Sequence, residues 1–344
     1  MKYKNVAIAG IGYAVPPKIL SSAAIEDALA PVYERIGLHA GRLELMTGIK
    51  ERRYWDSEIK PSDAAVLAAR DALQKAGKNG QEVDVLIHAS VCRDFLEPAT
   101  ASVVHEQLGL RAECQMFDLS NACLGVASSM AMAAQLIESG SIQSALVVAG
   151  EVGKPLVDAT IAHLNSDESV TRKSIKSSFA SLTIGSGASA VLLARLDEHP
   201  DAPEFRRATS RVATQHNKLC QGGVGDQAHL TMSTDAEALL VAGVDLAKET
   251  WSTFREEDDS IEVTEYKTIA HQVGRAHTVM LYQALHLPED RGYFTYETLG
   301  NVGSVSLPIS LALAVEHGHI QKGDPVALLG IGSGLSCMMM EIKW

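Results

Sequence analysis

The chain has 344 residues, of which 46% are hydrophobic and 21% charged, and its net charge at pH 7 is −12. This composition is typical of a globular protein, and the length suffices for one large domain or two packed halves. The acidic balance and the lack of a long basic run argue against nucleic acid or an anionic membrane surface as a partner. The first apolar stretch, residues 6–16, is too short for a membrane span and lacks a signal-peptide cleavage pattern.

Apolar runs alternate with alanine-rich stretches along the whole chain. In chain order, the predicted strands are Val6–Ala9, Val83–Ala89, Cys114–Leu119, Ala145–Ala149, Ala188–Ala194, Thr268–Gln272 and Val326–Leu329. The predicted helices are Ser62–Ala76, Ala101–Leu108, Cys123–Glu138, Ala236–Trp251 and Val305–Glu316. The alternation predicts a layered α/β fold whose strands are buried on both faces. The polar, proline-bearing segment 196–204 divides the chain into a half that spans 1–198 and a half that spans 199–344.

The two halves share a sequence pattern. A shift of 178 residues places Cys123 on Asn301, and it also matches Gly125 with Gly303 without a gap. Further along, Glu138 falls on Glu316. Such self-similarity indicates a duplicated supersecondary unit, in which Cys123 and Asn301 occupy equivalent helix starts.

Five cysteines are present, at positions 92, 114, 123, 220 and 337, with no CxxC spacing. We therefore expect neither a disulfide framework nor a zinc site, and a reducing cytoplasm fits this usage. Cys123 lies between a predicted strand, which looks buried, and a predicted helix. A thiol at a helix N-terminus faces free backbone N–H groups, which favours the nucleophilic thiolate and predicts covalent catalysis. The alternative is a small cysteine that fills the core.

Cysteine chemistry needs a base or orienting group and a charge stabiliser. His271 lies at the end of the predicted strand Thr268–Gln272, where active residues of α/β sheets gather, although it is one of twelve histidines. Asn301 can be a helix N-cap and still direct its amide at a substrate. The glycine-rich segment 330–335 is not followed by a helix pattern, so a tight turn with backbone N–H groups facing an oxyanion is preferred to a nucleotide loop.

Three motifs in order resemble the thiolase superfamily in its ketoacyl synthase III branch: Asn-Ala-Cys-Leu-Gly around Cys123, His-Gln at His271 and Gly-Asn-Val-Gly around Asn301. The resemblance covers nearly the whole chain. It implies a duplicated five-layer α-β-α-β-α sandwich, a homodimer, and a catalytic triad of Cys123, His271 and Asn301. It also implies an oxyanion hole formed by the Cys123 N–H and the turn Gly332, Ser333 and Gly334.

The segment Ser90–Ser102 resembles the condensing enzymes of bacterial olefin biosynthesis, which join two fatty acyl-CoA molecules head to head. Glu97 matches a loop glutamate that acts in the partner subunit's site, although most loop carboxylates are merely solvated. The implied reaction is a non-decarboxylative Claisen condensation to a 2-alkyl-3-oxo acid through an S-acyl cysteine, with no cofactor beyond the CoA thioesters and with downstream pathway enzymes as further partners. The alternatives are a decarboxylative 3-oxoacyl synthase that uses a malonyl thioester, and a non-catalytic acyl-binding scaffold.

Two departures from the family pattern concern substrate binding. Arg42 and Met46 stand where the branch often has a tryptophan and an arginine that hold the CoA adenine, so the family's usual contacts to CoA are not expected. Gly274 replaces the asparagine of the family's His-Gln-Ala-Asn motif.

Overall fold

The computed structural model describes residues 1–55, 59–224 and 230–344. Its strands are β1 Val6–Ala14, β2 Lys18–Ser21, β3 Glu51–Tyr54, β4 Val85–His88, β5 Gln115–Asp118, β6 Ser144–Glu151, β7 Gly187–Arg195, β8 Glu204–Val212, β9 Cys220–Val224, β10 Leu230–Thr234, β11 Lys267–Ala270, β12 Pro325–Gly332 and β13 Ser336–Lys343. Its helices are α1 Ser22–Ala28, α2 Ala30–Ile36, α3 Arg42–Thr47, α4 Pro61–Lys75, α5 Thr100–Gln107, α6 Gly125–Glu138, α7 Lys154–Ser166, α8 Phe179–Leu182, α9 Ala236–Glu257, α10 Arg275–Leu285, α11 Tyr296–Leu299 and α12 Ser306–Glu316.

Nine strands form one sheet in the order β11-β12-β13-β8-β1-β7-β6-β4-β5. β1 and β8 pair at Ala7 and Glu204, and Lys2, before β1, bridges Arg207 of β8, so the sheet consists of two half-sheets joined by a short seam. In the first half-sheet β4 runs parallel to β5 and β6, while in the second β11 runs parallel to β12. The strands β7 and β13 then run antiparallel to β6 and β12. The C-terminal ends of the parallel strands are where catalytic side chains of such sheets collect.

Helices α6 and α12 lie between the two half-sheets. Their apolar side chains share one core with both half-sheets, as Met130 and Ile309 do with Val147 and Leu328. Helices α4 and α5 cover the outer face of the first half-sheet, and α9 and α10 cover that of the second. The layers are therefore α-β-α-β-α, which confirms the predicted fold class.

The duplication is visible in how the two central helices end. α6 ends at Glu138 and α12 at Glu316, which are 178 positions apart. Each is followed by a left-handed glycine, Gly140 with φ 73° and Gly318 with φ 72°, a conformation that glycine adopts without a Cβ clash. The division of the chain at 198/199 falls in the connection between β7 and β8 and stays a prediction.

The predicted strand Cys114–Leu119 is wrong in one respect. The observed strand, β5, lies at the edge of the nine-stranded sheet, and both Gln115 and Met116 are exposed. The apolar residues of this segment predict burial, because the sequence alone does not show which strand lies at the edge of a sheet. Among the described residues, no helix is both long enough and apolar enough to cross a membrane.

Candidate active site

Cys123 lies in a short 3-10 turn, Ala122–Leu124, which leads directly into α6. Ala122 has φ 47°, an unfavourable left-handed conformation for a residue with a Cβ, and such strain clusters at functional sites. α6 starts close to the end of β4, because a Cβ on Gly125 would lie 2.0 Å from the Ala89 carbonyl oxygen. The half-buried Cys123 is thus held at the C-terminal edge of the first half-sheet.

The predicted thiolate at Cys123 is wrong for the free protein. Burial, followed by the negative charge of Glu151 and by Cys220, raises the pKa of the Cys123 thiol to about 12. Desolvation penalises the charged form more than the helix start favours it. The Cys123 thiol is therefore neutral in the free protein, so a nucleophilic role would require a base that accepts its proton.

His271 directly follows β11. Its backbone N–H donates to the Leu329 carbonyl at 2.9 Å, which fixes it beside β12. The side chain is 3% exposed, and its Nδ1 has no hydrogen-bond partner within the described part of the chain. Burial, and then the neighbouring His277, lower the pKa of His271 to about 3. The imidazole is consequently neutral at physiological pH and can accept a proton or donate a hydrogen bond.

Asn301 sits in a turn that is locked on both sides. Its N–H donates to the Thr183 carbonyl at 3.0 Å, and its carbonyl accepts from the Gly185 N–H at 2.9 Å. The side-chain Oδ1 accepts from the Gly303 N–H at 3.0 Å, an Asx turn rather than the helix N-cap considered from sequence. This bond leaves the amide NH₂ as the group that can donate to a substrate oxygen.

The glycine turn lies beside the turn that contains Cys123. β12 extends to Gly332, so the turn itself consists of Ser333, Gly334 and Leu335 before β13. A Cβ on Gly332 would lie 3.2 Å from the Leu124 Cγ. The Cys123 turn also contacts the turn 303–305 that follows Asn301. The structure therefore gathers Cys123, Asn301, His271 and the glycine turn around the end of β12.

Glu97 is not part of this cluster within one chain. It is exposed, in the segment between β4 and α5, and the preceding Leu96 is 98% exposed. Within residues 1–55, 59–224 and 230–344, the Glu97 carboxylate has no hydrogen-bond or ion-pair partner. A free carboxylate beside an exposed leucine is compatible with a role in the site of a second copy.

Sequence reasoning missed Glu151, which ends β6 and is 4% exposed. The feature that could have identified Glu151 is its position as an acidic residue directly after the apolar run 145–150, at the end of a strand buried on both faces. The replacement at Gly274 also has a physical reason. Gly274 has φ 147°, and a Cβ there would lie 2.7 Å from the Thr47 carbonyl oxygen, so the asparagine of the family motif does not fit.

Two family descriptions match the chain. Residues 117–206 match 3-oxoacyl-[acyl-carrier-protein] synthase III, and residues 262–344 match the C-terminal part of the same synthase. A relative from Shewanella oneidensis, called acyl-CoA:acyl-CoA alkyltransferase, is 39% identical over the whole of both chains. Beta-ketoacyl-[acyl-carrier-protein] synthase III 1 of Bacillus cereus is 28% identical over 99% of both chains.

Crystal structures of OleA from Xanthomonas campestris have the same fold. One matches with a TM-score of 0.95 and 38% identity, covering 100% of this chain and 98% of that one. Other structures of that enzyme carry replacements of a cysteine, a histidine or a glutamate, and one cysteine variant holds lauric acid and lauroyl-CoA.

Proposed function

Because the chain belongs to the acyl-CoA:acyl-CoA alkyltransferase family, within the 3-oxoacyl-[acyl-carrier-protein] synthase III group, we propose that it joins two fatty acyl-CoA molecules head to head. It is an acyltransferase, and the reaction is a Claisen condensation without decarboxylation that ends in a 2-alkyl-3-oxo acid. The observation that carries the proposal is the whole-length identity, 39% to the alkyltransferase against 28% to the decarboxylating synthase.

In the first half-reaction, the Cys123 sulfur attacks the carbonyl carbon of one acyl-CoA. Because the thiol is neutral at rest, its proton passes to the neutral His271 as the S–C bond forms. The Cys123 N–H and the Ser333 N–H stabilise the oxyanion. The carbon–sulfur bond to CoA then breaks, and CoA leaves with the proton held by His271, so that an S-acyl enzyme remains.

In the second half-reaction, Glu97 from a second copy of the chain removes the α-proton of another acyl-CoA. His271 and Asn301 hydrogen-bond the thioester oxygen as negative charge develops on it. The α-carbon attacks the acyl carbon on Cys123 and the S-acyl bond breaks. The leaving sulfur takes up the proton that Glu97 removed, which restores both the thiol and the carboxylate. Hydrolysis of the product thioester releases the 2-alkyl-3-oxo acid and CoA.

This role for Glu97 requires a homodimer. The exposed edge strand β5, with Met116 42% exposed, offers unpaired backbone groups of the kind that pair with a second chain. In a two-fold dimer each chain contributes the same groups to the other, so both sites gain a carboxylate. We expect the enzyme to act in the cytoplasm without a cofactor beyond its CoA thioesters, and to pass its product to downstream pathway enzymes.

The test is product analysis with lauroyl-CoA alone and with labelled malonyl-CoA added. We expect a 3-oxo product from lauroyl-CoA alone and no label from malonyl-CoA, because a carboxylate beside the malonyl group is unfavourable. Glu97→Gln should suppress the condensation and leave Cys123 acylation intact, whereas the exposed control Glu198→Gln should change neither. Labelled product with malonyl-CoA, and none from lauroyl-CoA alone, would replace this proposal with the decarboxylating synthase. A protein that gains no acyl adduct would be a scaffold.

A further inference from the structure

Glu151 is a buried carboxylate whose hydrogen-bond capacity is satisfied by two separate segments. It accepts from the Val91 N–H at 2.9 Å and from the Cys92 N–H at 3.1 Å. It also accepts from the Ser304 N–H at 3.2 Å and from the Ser304 hydroxyl. A carboxylate 4% exposed is costly unless it is bonded in this way, so these four bonds hold both segments to the end of β6.

Each of the two segments leads to a residue of the proposed second half-reaction. Val91 and Cys92 begin the segment that continues to Glu97, and Ser304 lies three positions after Asn301. A Cβ on Gly303 would lie 3.2 Å from the Glu151 Oε1, and Gly303 has φ 57°. Both the close approach of this turn to the carboxylate and its backbone conformation therefore favour glycine at position 303. The N–H of the same glycine is the one that Asn301 accepts.

The third neighbour is the nucleophile turn. The residues 122–124 contact the turn 303–305, which rests on Glu151. The negative charge of Glu151 is, after burial, the next largest cause of the raised Cys123 pKa. One side chain therefore adjoins the segments that carry Glu97, Asn301 and Cys123, and it links the two halves of the chain.

We propose that Glu151 is a positioning residue for the condensation step, because its carboxylate holds the Asn301 turn beside the Cys123 turn of its own site and anchors the segment that carries Glu97 towards the site of the second copy. Glu151 does not touch the reacting atoms. The inference rests on the proposed function, since it assigns the carboxylate to the step in which Glu97 and Asn301 act. Acylation of Cys123 needs neither of those residues and should depend on Glu151 far less.

Glu151→Gln tests this with little change of shape. Glu151 Oε1 accepts from the Val91 N–H and from both Ser304 donors, whereas Oε2 accepts from the Cys92 N–H. An amide has one acceptor oxygen, so its NH₂ group must face either the Cys92 N–H or the donors of Val91 and Ser304. Ser304→Ala removes only the hydroxyl donor on the Asn301 side. The matched control is Glu138→Gln at the far end of α6, where one carboxylate oxygen accepts from the Lys4 and Asn5 N–H groups, both at 2.9 Å.

Lauroyl-CoA is the probe, with Cys123 acylation followed by mass spectrometry and condensation by product formation. We expect Glu151→Gln to slow condensation about 10- to 100-fold and Ser304→Ala to slow it about tenfold, as for loss of a bond to a buried charged group. Acylation should stay within about threefold of the wild type in both, and Glu138→Gln should condense normally. The two rates thus separate positioning from general damage to the fold.

Wild-type condensation in both variants would overturn the inference, and so would an equal loss of acylation and condensation, which marks a merely structural carboxylate. If Glu151→Gln fails to fold, Ser304→Ala decides by the same two rates. A wild-type protein that makes no product from lauroyl-CoA alone would instead overturn the proposed function, and this inference with it.

Discussion

Gly332 lies beside Leu124, the residue after Cys123, with little room for a side chain between them. A Cβ at position 332 would be 3.2 Å from the Leu124 Cγ and 3.5 Å from the Leu124 backbone nitrogen. The end of β12, in the second half of the chain, therefore packs closely against the Cys123 turn of the first half. Through the backbone bond of His271 to Leu329, the same strand also carries the proposed base.

Gly332→Ala should slow acylation of Cys123, because the added methyl group pushes the Ser333 N–H away from the developing oxyanion. Loss of one such donor costs about 10²- to 10³-fold in rate. Single-turnover mass spectrometry with lauroyl-CoA measures the effect. Gly223→Ala is the control, since no atom of the described residues lies within 4 Å of a Cβ there. Unchanged acylation in Gly332→Ala would exclude the glycine turn from the oxyanion hole.

Replacement of Cys123 tests covalent catalysis. Cys123→Ala should abolish both the acyl adduct and the condensation, because no S-acyl enzyme can form. Cys123→Ser should be severely impaired, since a hydroxyl is a much weaker nucleophile near neutral pH. Product formation and intact mass with lauroyl-CoA provide the measurement. Turnover that persists in Cys123→Ala would rule out the covalent route.

Asn301→Ala and His271→Ala should each slow condensation by about two to three orders of magnitude, the range for loss of a positioned donor to developing charge. The two variants should differ in the first half-reaction. Asn301→Ala should still acylate Cys123, whereas His271→Ala should acylate slowly, because the neutral thiol then lacks its base. Equal loss of acylation and condensation in Asn301→Ala would assign Asn301 to the first half-reaction.

Mixed dimers test whether Glu97 acts across the interface. Neither Cys123→Ala nor Glu97→Ala should condense alone, but a heterodimer of the two should regain activity. One of its two sites then contains both intact groups, because a two-fold interface is reciprocal. Activity of purified, differently tagged heterodimers is the measurement. No recovery would place Glu97 within its own chain's site, or outside the chemistry.

His277 should make the protein less stable in acid. Its two ring nitrogens have no hydrogen-bond partner among the described residues, and burial lowers its pKa to about 4. Between an unfolded pKa of about 6.5 and this value the unfolded state binds the extra proton, so the free energy of unfolding falls by about 1.4 kcal/mol for each pH unit lost. Urea unfolding at several pH values gives the free energy of unfolding as a function of pH. In His277→Leu this free energy should fall less steeply with decreasing pH, by about that amount. The exposed control His39→Gln should keep the wild-type slope, and an unchanged slope in His277→Leu would contradict the assignment.

Motifs and periodicity were sufficient to identify the layered fold and the central candidate residues. The strands β4, β6, β7 and β12 are continuous apolar runs because both of their faces are buried. Such runs can be recognised in the sequence without knowing which strands pair with them. The matching ends of α6 and α12 can also be recognised in the sequence, because the repeat preserves residue types at a fixed spacing. Cys123, His271 and Asn301 were recognised from the residues next to them in sequence.

Only the tertiary structure decided the electrostatics and the connections between these residues. The helix start at Cys123 predicts a low pKa, but burial and Glu151, which lies 28 positions further along the chain, reverse the direction. The bonds from Glu151 to Ser304 and the closeness of Gly274 to Thr47 join residues far apart in sequence. The local sequence pattern indicates which residues belong to the same helix or strand and which of them lie on the same face of it. Desolvation and contact depend on which elements fold together, and one chain's sequence does not contain those distances.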